Sequence, residues 1–184
     1  GMGKTFLTRD IGTRLGSESG YEPSRQERMV WSGILDIYDP DTNSNKGIEQ
    51  RLIEALPAGN WFDTYHSERA LYDAWLKGGI VGSNLEAQRQ KVEQSFAAGL
   101  SGLSRQWYPV LAFDTVERLE SGTDPTQRAV EIFDDTASVM GWLIFQITHL
   151  ERGTIFLVGR PAKRFEQTLI KHIKHANEER LPEL

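Results

Sequence analysis

The order of apolar and polar positions divides the chain into alternating helices and strands. Phe6, Leu7, Ile11 and Leu15 fall near helical spacing and predict a helix over 4–17. Gly16 to Arg25 is rich in loop residues. Val30 to Tyr38 reads as a strand, and its nearly unbroken apolar character from Ile34 suits a buried parallel strand. Asp39-Pro40-Asp41-Thr42-Asn43-Ser44-Asn45 is a turn cluster. Ile48, Leu52, Ile53 and Leu56 then keep helical spacing up to Pro57.

Residues 62–106 read as a helical insert. Phe62, Tyr65, Leu71, Tyr72, Trp75 and Leu76 outline one helix, stopped by Gly78-Gly79. Asn84 is placed to cap a second, whose Val92, Phe96, Leu100, Leu103 and Trp107 advance in steps of one helix face. That aromatic stripe is read as a core-facing side in preference to a partner groove. Tyr108 to Asp114 is a short apolar strand ending in a carboxylate. Thr126 to Leu150 is mostly helical, with a break expected near Ser138 or Gly141. Gly153 to Gly159 is another strand of buried type, and residues 162–180 form an amphipathic helix with Phe165, Leu169, Ile173 and Ala176. Strands alternating with helices predict an α/β fold around a parallel sheet.

Composition narrows the classes. At 184 residues the chain suits one domain. Eight Phe, five Trp and five Tyr argue against wholesale disorder. A net charge of −5 argues against a nucleic-acid-coating protein, although Lys163, Arg164, Lys171, His172 and Lys174 make the last helix locally basic. With no Cys there is no disulfide framework, Cys-ligated zinc or Cys nucleophile. The longest apolar run, Trp142 to Ile147, contains Gln146 and is far too short for a membrane span. No charged-then-apolar leader is visible, and a cytoplasmic location is expected.

Three marked positions should converge, because ligands of parallel α/β sheets sit at the carboxyl ends of strands. Gly3-Lys4-Thr5 is the end of a phosphate-binding loop, G-x-x-x-x-G-K-[ST], opening a helix. Backbone N–H groups there bind phosphate, Lys4 adds a charge for the β- and γ-phosphates, and the Thr5 hydroxyl is a hard ligand for Mg²⁺. Asp114 ends its strand where it would hold the same ion. Glu117 is placed to orient or deprotonate an attacking water, and Arg160 to meet the γ-phosphate. His172 and His175 share a helix face with Glu178 or Glu179 nearby, and are read as a solvated surface rather than a metal site. Asp134-Asp135 is read as helix surface, and Asp36, Asp39 and Asp41 as turn formers, with Asp36 or Asp39 near the nucleotide. His66 and His149 have no partners in a recognisable catalytic order.

Gly1-Met2-Gly3-Lys4-Thr5-Phe6-Leu7 resembles the second half of a Walker A motif, and Val110 to Glu117 resembles a Walker B strand. Thr154 to Pro161 resembles the sensor strand of signal-transduction ATPases with numerous domains, the STAND class that includes NACHT and NB-ARC modules. The resemblance covers nearly the whole chain. It implies a three-layer α/β/α P-loop NTPase core, here a single domain cut at both ends, with the first Walker A glycine and first strand missing. It also implies ATP or ADP with Mg²⁺ as ligand, held by Gly1, Met2, Gly3, Lys4, Thr5, Phe6 and Asp114. Such proteins act as switches, with nucleotide-dependent homo-oligomers and downstream winged-helix and repeat domains. Hydrolysis in this fragment is expected to be slow or absent. Two other functions fit: an AAA+-like ATPase acting on DNA or protein, and an interaction module that has lost nucleotide binding.

Overall fold

The first described strand carries a flaw that its own sequence accommodates. A computed structural model describes residue 10, residues 28–121 and residues 136–180 of the chain. Strand β1 (Arg28–Asp36) is irregular between Trp31 and Ile34, where its pairing register shifts. Gly33 there adopts φ 75°, a conformation open to glycine at no steric cost. The Ser32 hydroxyl accepts from the Ala112 N–H at 3.3 Å across the break, so a buried donor of the neighbouring strand keeps a partner.

Helix α1 (Asn45–Ala55) begins where the Ser44 hydroxyl accepts from the Gly47 N–H at 3.2 Å. It ends at Leu56, which precedes Pro57 and is extended at ψ 158°, the conformation a following proline enforces. Helices α2 (Asp63–Lys77) and α3 (Ser83–Ser104) form the insert before strand β2 (Trp107–Asp114). Asn84 lies inside the first turn of α3 instead of capping it. Gly82, at φ 83°, takes the cap position and contributes no side-chain bond. Val92, Phe96, Leu100 and Leu103 are buried, as a core-facing stripe requires, whereas Trp107 leaves the helix and opens β2.

A short helix α4 (Arg118–Ser121), not anticipated from sequence, follows β2. Helix α5 (Thr136–His149) runs unbroken through Ser138 and Gly141. Burial of Trp142, Leu143 and Ile144 holds it there, and packing outweighs the weak helix preference of one glycine. Strand β3 (Thr154–Leu157) and helix α6 (Lys163–Arg180) complete the described elements. The phosphate-loop residues Gly1 to Phe6, all of the helix expected over 4–17 except the helical Asp10, Asp134-Asp135 and the expected helix start at Thr126 lie outside the described residues.

Among the described residues the fold is α/β, with six helices and a three-stranded parallel sheet in the order β1-β2-β3. Such a sheet is compatible with a Rossmann-like core. Leu35, Leu111, Phe113, Ile155 and Leu157 share one sheet face and enter one hydrophobic core with Ile48 and Leu52 of α1, Phe96 and Leu100 of α3, and Trp142 of α5. Glu49 is fully buried inside this core. It accepts from the Tyr65 hydroxyl at 2.7 Å and the Trp142 indole N–H at 2.9 Å, and it pairs with Arg69. The carboxylate therefore ties α1, α2 and α5 together, with Arg69 also over the faces of Tyr65 and Tyr72. No described helix is long and apolar enough to cross a membrane.

Candidate functional site

Asp114 closes the central strand, and its neighbours in the sheet decide what surrounds it. In register beside it lies Asp36 at the end of β1, and the Ile37 N–H donates to the Asp114 carbonyl at 3.1 Å. Both carboxylates shape the backbone that follows them. Asp36 Oδ1 accepts from the Tyr38 N–H at 2.9 Å, and Asp114 Oδ1 accepts from the Thr115 N–H at 2.8 Å. Asp39 does the same for Asp41, at 3.0 Å. These are the turn-forming roles read for Asp36 and Asp39. The Thr42 hydroxyl donates to the Asp36 carbonyl at 2.5 Å, which fixes the loop leading into α1.

Thr115 has φ 62°, in the left-handed region that a β-branched residue strongly disfavours. Strain of this kind persists only where surrounding contacts enforce it, and it costs on the order of 1–3 kcal/mol. The enforcing contacts are visible here. The Val158 N–H donates to Phe113 at 2.8 Å, and the Val116 N–H donates to Val158 at 3.2 Å. These bonds carry the β2–β3 pairing past the ends of both strands. The sharp turn at Thr115 then sends Glu117 across to the chain leaving β3.

There Glu117 Oε2 accepts from the Arg160 N–H at 2.9 Å. Its other oxygen stands 4.0 Å from the Arg160 Nε, a loose pair whose arginine side chain is 88% exposed. One turn further, Glu120 Oε1 accepts from the Phe165 N–H at 2.8 Å, and Glu166 Oε1 from the Ala162 N–H at 3.2 Å. These satisfy amide groups at the start of α6. Arg118, at the start of α4, lies over the exposed ring of Tyr38 on the loop after β1, 4.8 Å from its centroid.

The structure thus brings Asp114, Glu117 and Arg160 to one edge of the sheet. Where Lys4 and Thr5 stand relative to them lies outside the described residues. Sequence reasoning missed Thr115 and Glu120 as parts of this edge, and Asp36 as the in-register neighbour of Asp114. No advance signal marked any of the three, because the first strand was expected to run on to Tyr38, which put Asp36 inside it and not at its end. A cavity of about 360 Å³ opens between β1 and α1. Its lining includes Asp36, Asp39, Thr42, Arg51 and Glu54, but not Asp114, Glu117 or Arg160. His172 and His175 lie on an exposed stretch of α6, and among the described residues no group of three His, Asp or Glu side chains is arranged to hold a metal ion. His149 Nδ1 lies 2.8 Å from its own helix's Phe145 carbonyl, and His66 packs edge-on against Tyr65.

Comparison with protein-family models, curated proteins and solved structures returned no match.

Proposed function

We propose that this chain is a P-loop type nucleotide-binding module that takes Mg-ATP or Mg-ADP at the carboxyl edge of its sheet and works as a conformational switch. The observation that carries this reading is the meeting of Asp114, Glu117 and Arg160 at the ends of adjacent parallel strands. Their chemistry suits the ligand. Asp114 is a hard oxygen donor of the kind Mg²⁺ takes, and Thr5 would be its hydroxyl counterpart. Mg²⁺ bound there would offset charge on the phosphates. Lys4 and the amides of Gly1 to Phe6 would hold the phosphates, and Arg160, being exposed and only loosely paired, would reach toward the terminal one.

The resemblance to STAND ATPases belongs with this proposal, as do the three-layer core, the nucleotide-dependent homo-oligomer and the downstream domains. The AAA+-like alternative has one observation in its favour. Ile170 to His175 of α6 are all exposed, and the basic Lys171, His172 and Lys174 lie among them. That surface would suit an acidic partner, and binding through it would weaken steeply with salt.

Calorimetry with Mg-ATP on the chain and on Lys4→Ala tests the proposal. Saturable binding that the substitution abolishes is the expected result. No saturable binding by either protein would favour the interaction module, and binding that persists in Lys4→Ala would contradict a phosphate loop at Lys4.

A further inference from the structure

Glu117 lies between the two segments that leave β2 and β3, just past the end of their pairing. The turn Asp114-Thr115-Val116-Glu117 leaves β2, and Val158-Gly159-Arg160 leaves β3. Backbone bonds from Val158 to Phe113 and from Val116 to Val158 bring the two exits together, and the carboxylate of Glu117 closes the gap on the Arg160 N–H at 2.9 Å. Gly159 is part of the fit. A β-carbon at that position would run into Glu117 Oε2 and would stand 3.0 Å from the Val116 nitrogen. The left-handed Thr115 is what turns Glu117 toward this position. A strained residue, a glycine with no room for a side chain and a charge-assisted bond to a backbone amide all serve one contact.

We propose that Glu117 is the positioning residue of Arg160: its carboxylate holds the Gly159–Arg160 turn and so sets where the guanidinium stands at the carboxyl edge. The inference rests on the reading that this edge takes nucleotide phosphates, and it gives Glu117 a task other than deprotonating water. The amide bond fixes the backbone of Arg160, while the 4.0 Å side-chain pair leaves the guanidinium able to swing to an incoming phosphate. Glu120, one turn along, secures the far end of the same segment through the Phe165 N–H. The arginine is therefore carried on a short span anchored at both ends.

Three variants separate holding from proton transfer. Glu117→Gln keeps a carbonyl acceptor for the Arg160 N–H but cannot act as a base. Glu117→Ala removes the acceptor. Gly159→Ala breaks the fit without altering either side chain. The first readout is hydrogen exchange at the Arg160 amide with no nucleotide present. Exchange should stay slow in the wild type and Glu117→Gln, and speed up about tenfold or more in Glu117→Ala and Gly159→Ala, as loss of one hydrogen bond to a charged group implies. The second readout is Mg-ATP affinity and turnover. Glu117→Gln should lose less of both than Glu117→Ala, while Glu117→Ala and Gly159→Ala should both fall to the level of Arg160→Ala.

An unprotected Arg160 amide in the wild type would overturn the proposal. So would Glu117→Gln losing turnover as fully as Glu117→Ala while its Arg160 amide stays protected, since that pattern belongs to a base. The exchange readout needs no nucleotide. A wild type that binds no Mg-ATP yet shows the expected exchange pattern would count against the nucleotide reading alone and uphold the holding role.

Discussion

Among single residues, Glu49 bears the heaviest demand, because a carboxylate with no solvent contact must be satisfied wholly by protein. Tyr65, Arg69 and Trp142 supply the donors. Burial pushes its pKa up from 4.5 to about 7, against the pull of Arg69 and the three hydrogen bonds. The folded chain therefore holds this proton more tightly than the unfolded chain does. The resulting stabilisation is complete below about pH 4.5 and is lost as the pH rises through about 7. Urea unfolding across that range should show stability falling with pH, and Glu49→Gln should flatten this contribution. An unchanged slope in the variant would assign it to other groups. Glu49→Ala removes one partner of a buried pair and should cost about 3–5 kcal/mol, read from the urea midpoint. None of this was legible in the sequence. Glu49 sits on an amphipathic helix like any surface glutamate, and only tertiary packing turns it inward.

Elements with strong periodicity were the most legible. The face of α3 from Val92 to Leu103 is buried as its spacing requires, and Phe96 at its centre packs on Phe62, Tyr65 and Trp142. Phe96→Ala should destabilise the fold by about 3–5 kcal/mol in urea unfolding, since it empties the meeting point of three helices. A loss under 1 kcal/mol would mean that the insert packs more loosely than described. The boundaries that failed had local causes. Trp107 kept the helical spacing but joined β2, because an apolar residue at a helix end suits a following strand equally well. Gly141 did not interrupt α5 because its neighbours are firmly buried. Helix α4 is a single turn, too short to leave a hydrophobic period.

For the molecule as a whole, alternation of strands and helices was enough to predict a parallel sheet, and all three described strands fall where apolar runs placed them. Strand order and register were not readable, since they depend on packing between segments far apart in sequence. The same holds for the carboxyl edge. Asp114, Glu117 and Arg160 were each marked by position, but the bond joining Glu117 to the Arg160 amide needs the left-handed turn at Thr115, and a threonine gives no local sign of it. The proposed function requires this edge to bind a magnesium-bound nucleotide through Asp114. The most direct measurement is ATP affinity against Mg²⁺ concentration for the wild type and Asp114→Asn. Affinity that rises with Mg²⁺ in the wild type and stays flat in the variant is the predicted result. An identical Mg²⁺ dependence in both proteins, or no saturable ATP binding by the wild type, would contradict it.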